Sequence, residues 1–171
     1  VTSQFLLPYL DGFHRKHPAI HIQIISGRSH KVLGLLRSGK VDIAFASTPT
    51  DMTSLETYPC FPTHSIFVAG AGYPCDFEHV YSLEEISAFP LILLELGARS
   101  LLVDLAAIGF GVAGVTEEFV TRDLENGRLR QLRTSFHIPP RSVDMCMLRD
   151  VPQTAAAERF AAFVKQSLSE R

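Results

Sequence analysis

The chain has 171 residues, of which 46% are hydrophobic and 20% are charged. An apolar content this high can offset the entropy of ordering the chain, which excludes intrinsic disorder, and the length allows one domain or two small lobes. The 16 basic and 18 acidic residues give a net charge of -2 without a basic block. By themselves, these residues are therefore a poor surface for nucleic acid.

Neither the apolar runs nor the cysteines indicate a membrane protein or an exported one. The longest apolar stretches, such as residues 89–94, are far shorter than the ~20 residues of a membrane-spanning helix. No secretory leader opens the sequence. Cys60, Cys75 and Cys146 are odd in number and widely spaced, which suits reduced thiols better than a disulfide framework. We expect a cytoplasmic location without membrane contact.

The first third of the chain alternates helix and strand signals. Apolar side chains three and four positions apart predict helices, and alternating apolar and polar side chains predict a strand. The predicted elements are a helix over residues 3–17, a strand over 20–24, a second helix that Gly39 ends, and a buried strand over 41–46. A strand, a helix and a strand in this order predict two parallel strands with a right-handed crossover.

The rest of the chain continues the alternation after a turn-rich region at residues 48–74. A capping box of Ser82 and Glu85 opens a short helix. The other predicted elements are strands at 65–69, 91–94, 112–115 and 142–148, and helices at 101–108, at 116–124 with Thr116 as cap, and at 154–168. Alternating strands and helices of this kind predict an α/β protein.

Residues 109–114 read Gly-Phe-Gly-Val-Ala-Gly, which matches the letters of a dinucleotide-binding fingerprint. That fingerprint must follow a strand and open a helix, whereas here a predicted helix comes first and a predicted strand follows. We therefore interpret the glycines as a helix cap and a tight entry into a strand, and we expect no cofactor.

The sequence offers no recognisable catalytic or metal-binding constellation. His14 and His17 could share a helix face, but no carboxylate or thiol stands at ligand spacing beside them. No nucleophile elbow is present, and neither Cys60 nor Cys146 stands in a recognisable family context. We expect no metal site and no enzymatic activity.

Three small polar turns stand where a helix begins. They are Thr2-Ser3, Gly27-Arg28-Ser29 and Gly97-Ala98-Arg99-Ser100. Unpaired N–H groups at a helix start, together with hydroxyls and an arginine, can hold a carboxylate, and ligands of open α/β sheets bind at the carboxyl ends of strands. Each turn alone could be only a cap. The three together favour a small anionic ligand.

Segments along nearly the whole chain resemble the effector-binding domain of LysR-type transcriptional regulators. The resemblance begins with Phe-Leu-Leu-Pro-Tyr-Leu at residues 5–10 and runs through Phe13, His17-Pro18, residues 22–29, Leu33, Leu36, Ser38-Gly39 and residues 41–44. It continues at residues 82–84, 89–92, 103–115, 126–129 and 160–163. No single motif decides it, but the matches of the first third are specific together.

The resemblance implies two Rossmann-like lobes of the periplasmic-binding-protein type, joined by crossover strands. Lobe I would comprise residues 1–69 plus 141–171, and lobe II residues 70–140. A small effector would bind in the cleft between the lobes and control DNA binding and transcription. The N-terminal winged helix-turn-helix of the family is absent from these residues, so DNA would be bound only through that missing domain.

The resemblance also implies where an effector and a second subunit would bind. The residues that match effector-contacting loops are Thr2, Ser3, Gln4, Arg28, Ser29, Ser47, Thr48, Gly97, Ala98, Arg99 and Ser100. Such domains form homodimers or tetramers by antiparallel, side-by-side pairing. The helix of Leu6, Leu10 and Phe13 in one subunit would meet the helix of Leu101 and Leu105 in the other.

The chain departs from the family pattern in its second half. The family has a further helix and strand, about 25 residues, between Ser100 and Leu101. Either that segment is deleted or a mobile segment separates the two residues, and we favour the mobile segment. The leading hypothesis is the effector-sensing domain of a bacterial LysR-type regulator. The alternative is a free-standing periplasmic-type solute-binding protein, which shares the lobes but requires an export signal.

Overall fold

The computed structural model describes residues 5–48, 51–92 and 99–170. Its helices are α1 (Leu7–Lys16), α2 (Ser29–Arg37), α3 (Leu83–Ala88), α4 (Arg99–Ala107), α5 (Thr121–Glu125) and α6 (Ala155–Ser169). Its strands are β1 (Ala44–Ser47), β2 (Leu55–Thr63), β3 (Ser65–Gly70), β4 (Val80–Tyr81), β5 (Leu91–Ile92), β6 (Val112–Thr116), β7 (Leu129–Thr134) and β8 (Arg141–Leu148). A 3-10 turn spans Glu117–Phe119.

The chain forms two compact units. The first combines the chain up to Pro62 with the chain from Ser142 onwards, and the second is Thr63–Arg141. The first boundary lies several residues before position 69, where we expected it, because β3 pairs with β6 and β7 and so belongs to the sheet of the second unit.

The first unit is built on a three-stranded sheet in the order β1-β8-β2. Strand β8 pairs with β1 in antiparallel register, with Ala44 opposite Cys146. Helix α1 packs against α6 through aromatic side chains, and the ring centroids of Phe13 and Phe160 lie 5.0 Å apart. Leu33 and Leu36 of α2 are buried against Ala44, which holds α2 on β1. The helix predicted over 154–168 is present as α6, and Thr154 caps it by accepting the N–H of Ala157.

The predicted strand over residues 20–24 is wrong. These residues form neither helix nor strand, and Ile22 and Ile24 remain exposed. An alternating pattern gives a strand only where a neighbouring strand completes the hydrogen bonds, and no described strand pairs with this segment. The expected parallel crossover is therefore absent among the described residues, and β1 is antiparallel to its neighbour β8.

Sequence reasoning missed β2, the longest described strand. It lies in the region that we interpreted as turn-rich, and it contains Pro59 and Pro62, which cannot donate a hydrogen bond to a sheet. Strand β2 lies at the edge of the order β1-β8-β2. An edge strand tolerates proline, since its outward N–H groups need no partner strand.

The second unit has a five-stranded sheet in the order β4-β7-β3-β6-β5. Strand β3 is antiparallel to both of its neighbours, while β5 runs parallel to β6 and β4 parallel to β7. Helix α4 covers the sheet with Val103 and Ala106, which pack against Val68 and Ala113. The capping box of α3 is present as predicted, with the N–H of Ser82 donating to Glu85 Oε2 at 2.7 Å.

The glycine-rich segment after α4 is a helix end, as predicted. Gly109 has a positive φ of 89°, and β6 follows it rather than a helix. The predicted helix over 116–124 is instead divided into the 3-10 turn and α5, and Thr116 caps neither through its side chain.

The position at which the chain departs from the family pattern lies within α4. Helix α4 runs through the peptide bond between Ser100 and Leu101, which are consecutive in the sequence.

The described helices were also compared with the dimensions of a lipid bilayer. None of them combines the length and the apolar character that crossing a membrane requires.

Gly111 packs so closely against the neighbouring strand that it provides a stability test. A Cβ atom at Gly111 would lie 2.1 Å from the carbonyl oxygen of Pro90, which is fixed backbone. We expect Gly111→Ala to lower the free energy of unfolding by about 3 kcal/mol, the upper range for overpacking, as measured by urea denaturation. The matched control is Gly72→Ala, whose Cβ would meet nothing within 4 Å. Equal stability of the two variants would contradict this packing.

Candidate functional site

The end of β1 and the start of α2 meet in the first unit. Ser47 is the last residue of β1 and Ser29 is the first residue of α2. The backbone N–H of Ser47 donates to Ser29 Oγ at 3.3 Å, in a partly buried position. Because the Oγ atom accepts this bond, the hydroxyl hydrogen of Ser29 can still be donated to a ligand.

The first turn of α2 has the polarity of an anion site. Arg28 caps the helix with an extended backbone, and its carbonyl accepts the first helical hydrogen bond, from Val32 N–H at 3.0 Å. The N–H groups of the residues before Val32 have no helical carbonyl to reach. The first turn contains no acidic residue, so the positive end of the helix dipole is not neutralised there.

Basic side chains reinforce this polarity. Arg28 is exposed, and within the described part of the chain no hydrogen bond or ion pair involves its guanidinium. His30 and Lys31 follow in the first turn, and the Lys31 side chain lies over Gly27, where a Cβ would be 3.2 Å from Lys31 Cδ. Cations beside the positive end of a helix are unfavourable. A bound anion would offset both the repulsion between the basic side chains and the helix end and the repulsion among those side chains. Sequence reasoning missed Lys31, although its place in the first turn was readable.

Thr48 is held beside this site by the returning strand β8. Its N–H donates to the carbonyl of Ser142 at 3.0 Å, and its hydroxyl donates to the same oxygen at 3.4 Å. The hydroxyl of Ser142 in turn donates to Asp144 Oδ1 at 2.5 Å. Asp144 is buried, with 2% of its surface exposed. Sequence reasoning missed both Ser142 and Asp144, because they come from a strand almost 100 residues later.

The structure therefore brings together four of the predicted contact residues, Arg28, Ser29, Ser47 and Thr48. Thr2, Ser3, Gln4, Gly97 and Ala98 lie outside the described residues, as does the side chain of Arg99. Ser100 is exposed in the first turn of α4. The part of the site that we expect in the second unit stays a prediction.

The residues expected at a subunit interface differ in exposure. Phe13 is completely buried and Leu6 nearly so, both within the first unit, which leaves them little surface for a partner. Leu10 is partly buried in the same core. On α4, Leu101 is exposed and Leu105 is partly exposed. Ile108 and Phe110, which directly follow α4, are exposed by 70% and 67% and extend this apolar surface.

The cysteines of the first unit are not activated as nucleophiles. Burial raises the pKa of the Cys60 thiol to about 11 and that of Cys146 to about 12, and the nearby carboxylate of Asp144 adds to both shifts. A thiolate is the reactive form of cysteine, so neither group offers a nucleophile near neutral pH.

The family model of the LysR substrate binding domain matches residues 1–101. The match covers more than half of the chain, and the chain belongs to the LysR substrate-binding-domain family. Its fold is accordingly that of two Rossmann-like lobes of the periplasmic-binding-protein type joined by crossover strands.

Relatives in sequence carry regulator names. The HTH-type transcriptional regulator IlvY of Escherichia coli (strain K12) is 20% identical over 177 residues, which cover 85% of this chain and 60% of the relative. The HTH-type transcriptional regulator SsuR of Burkholderia cenocepacia is 25% identical over 92 residues, 53% of this chain and 30% of the relative. The chain thus spans 60% or less of the length of these two relatives.

Solved structures share the fold at low sequence identity. The regulatory domain of Synechocystis PCC6803 CcmR, in complex with 2-PG, has a TM-score of 0.86 and 14% identity, over 98% of this chain and 92% of that one. The effector-binding domain of QuiR, in complex with shikimate, has a TM-score of 0.84 and 13% identity, and the match covers 99% of this chain and 92% of that one. A full-length variant of AphB has a TM-score of 0.77 and 19% identity, and the match covers 96% of this chain and 64% of that one.

The raised thiol pKa values predict how the cysteines react with Ellman's reagent. At pH 8, with a pKa near 11, on the order of one Cys60 in a thousand is a thiolate. We therefore expect the buried Cys146 to react only after unfolding and Cys60 to react slowly in the native protein. Cys75 is partly exposed like Cys60, and burial raises its pKa too, so Cys75→Ser is used to remove its contribution. A fast native reaction that survives Cys75→Ser and maps to Cys60 would contradict the prediction.

Proposed function

We propose that this chain senses a small anionic metabolite and, as part of a longer protein, conveys the binding event to a DNA-binding domain that controls transcription. The observation that carries the proposal is the start of α2, which offers first-turn N–H groups, the Ser29 hydroxyl and no carboxylate in its first turn. Arg28 stands beside them, and its guanidinium has no hydrogen bond or ion pair among the described residues. The two relatives described above are named as HTH-type regulators, which favours this function over that of a free-standing solute-binding protein.

The chemistry at α2 specifies the kind of ligand. Backbone N–H groups and a hydroxyl are directional donors that suit carboxylate or phosphate oxygens. Arg28 is free to form a two-pronged contact with such a group. The related structures with 2-PG and shikimate support a small acid as ligand. We infer that Ser47 and Thr48 position the anionic group at the end of β1.

The proposed mechanism is a population shift rather than catalysis. An effector that binds one conformation of the domain more tightly raises the population of that conformation by its difference in affinity. The charge balance of these residues makes them a poor nucleic-acid surface. DNA recognition would therefore belong to another part of the full-length protein, in the cytoplasm.

We also propose that two copies pair through the apolar surface of α4. Leu101, Leu105, Ile108 and Phe110 form this surface, which we call the α4 patch. Leu101, Leu105 and Ile108 stand at i, i+4 and i+7, so they share one side of the helix. An apolar patch of this kind on a soluble domain marks an interaction surface.

Removing donors at the start of α2 tests the effector site. We expect Ser29→Ala and Arg28→Ala each to weaken binding of a carboxylate about tenfold, because each removes a hydrogen bond to a charged group. A thermal-shift screen with shikimate and two- to six-carbon hydroxy and keto acids identifies a ligand, and calorimetry then measures its affinity. Binding should also weaken with added salt, since Arg28 is exposed.

Matched variants separate a local effect from a general one. Ser38→Ala changes a serine at the other end of α2, where the hydroxyl donates to the carbonyl of Leu35. Arg159→Ala removes an exposed arginine of α6. Both should bind the acid as the unmodified protein does. If Ser29→Ala and Arg28→Ala bind equally well too, the site is not at α2.

A charge in the α4 patch tests the pairing. We expect Ile108→Glu and Leu101→Glu each to shift the protein from dimer to monomer in light scattering coupled to size exclusion, because a carboxylate in an apolar interface must be desolvated. Val151→Glu is the control, since Val151 is an exposed apolar residue of the first unit. An unchanged dimer in both α4 variants, with native circular dichroism, would contradict pairing through this patch.

A further inference from the structure

Two hydroxyl groups beside the proposed effector site already use their hydrogen atoms within the protein. Thr48 Oγ1 donates to the carbonyl oxygen of Ser142 at 3.4 Å, and Ser142 Oγ donates to Asp144 Oδ1 at 2.5 Å. A carbonyl and an ionised carboxylate can only accept hydrogen bonds, so the hydroxyls must be the donors in both pairs. Thr48 and Ser142 therefore offer a ligand the lone pairs of their oxygens and no hydrogen.

The register of the sheet places these groups on the face that α2 covers. Thr48 stands opposite Ser142, because the antiparallel β1–β8 ladder continues with a hydrogen bond from Thr48 N–H to the Ser142 carbonyl. Opposite residues of an antiparallel pair point to the same face, as do residues two apart along a strand. Thr48, Ser142 and Asp144 therefore share a face with Cys146, which belongs to the same buried cluster as Leu33 of α2.

The start of α2 offers the opposite kind of group. Ser29 Oγ accepts the N–H of Ser47, so its own hydrogen is left for a ligand, and the first-turn N–H groups and Arg28 are donors as well. Ser47 and Thr48 are consecutive residues, whose Cα atoms lie about 3.8 Å apart. The donors of α2 and the acceptors at the end of β1 are thus within reach of one small molecule.

The acceptor oxygens are accessible, whereas the carboxylate behind them is not. Thr48 is exposed and Ser142 is partly exposed, while Asp144 is buried. Asp144 therefore acts through Ser142, whose hydroxyl it holds in one direction. A hydroxyl that donates to a carboxylate is also polarised into a stronger acceptor.

We propose that the acid bound at α2 is a hydroxy acid, whose carboxylate binds the α2 donors and whose neighbouring hydroxyl donates to Ser142 Oγ and Thr48 Oγ1. This inference rests on the proposed function and specifies the ligand of the same site. A hydroxyl supplies the hydrogen that the two oxygens lack. The oxo group of a keto acid is only an acceptor, so it repels both oxygens and leaves them unsatisfied. Asp144 is a positioning residue in this selection.

Calorimetry of the full chain with matched acids tests the selection. The hydroxy acids are lactate and α-hydroxyglutarate, each as both enantiomers, and their keto counterparts are pyruvate and α-ketoglutarate. We expect one enantiomer of a hydroxy acid to bind about tenfold more tightly than the keto acid of the same carbon skeleton, the effect of one hydrogen bond made rather than left unsatisfied.

Variants of the two acceptors separate selection from a general loss of binding. Ser142→Ala and Thr48→Val should each weaken the hydroxy acid about fivefold without weakening the keto acid, because only the hydroxy acid loses a hydrogen bond. Thr48→Val decides the case if Ser142→Ala, which leaves the buried Asp144 without its hydroxyl partner, does not fold. The matched control is Thr63→Val, which removes another threonine hydroxyl that donates to a β8 carbonyl, that of Arg141 at 3.3 Å. It should keep the full preference.

The outcomes distinguish this inference from the proposed effector site. Equal affinities for hydroxy and keto acids, both weakened by Ser29→Ala, would overturn the selection and leave the site at α2 in place. A preference that persists in both Thr48→Val and Ser142→Ala would overturn it too, as would the absence of binding by every hydroxy acid of the series. Acids that bind equally well after Ser29→Ala and Arg28→Ala would instead contradict the site itself.

Discussion

Strand β8 is the element on which the first unit depends. It is the central strand of β1-β8-β2, yet it begins only after the chain has passed through the whole second unit. Its pairing with β1 sets Ser47 opposite Val143, and the same alignment places Thr48 on the carbonyl of Ser142. The candidate site at the end of β1 therefore requires a contact between residues far apart in sequence, which costs loop-closure entropy before it stabilises anything.

The start of α2 is locally unfavourable in a way that indicates function. A helix that served packing alone would be more stable with an acidic residue in its first turn and basic residues in its last. Helix α3 follows the first part of that rule, with Glu84 and Glu85 in its first turn. Helix α2 breaks it with His30 and Lys31. Departures from local consistency are expected where binding, rather than stability, sets the residue type.

The sequence predicted elements whose signals are local. The capping box of Ser82 and Glu85 concerns residues three positions apart, so no distant partner could override it. The strand predicted over residues 20–24 failed because its alternation needed a neighbour that the described residues do not supply. Strand β2 was missed for the opposite reason: its edge position permits prolines that are forbidden inside a sheet.

The same distinction applies to the candidate site. Ser29 and Arg28 were predictable, because a polar turn before a helix is a local pattern with known chemistry. Ser142 and Asp144 were not, since their proximity to Thr48 depends on the register of β8. The α4 patch was predicted only in part. Apolar spacing identified both α1 and α4 as helices. It could not show that Phe13 of α1 is buried inside the first unit while Ile108 after α4 is exposed, because burial depends on which other elements pack against each helix.

The bond between Ser47 and Ser29 gives a physical route from ligand to fold. Ser47 donates its N–H to the hydroxyl that would bind the acid. A ligand that orients the Ser29 hydroxyl would therefore also favour its hydrogen bond with Ser47. A ligand at about 100 times its dissociation constant stabilises the state that binds it by about 2.7 kcal/mol. That free energy exceeds the value of a single neutral hydrogen bond, about 1 kcal/mol. An acid bound at α2, as proposed above, would therefore stabilise the contact that joins Ser47 of β1 to Ser29 of α2.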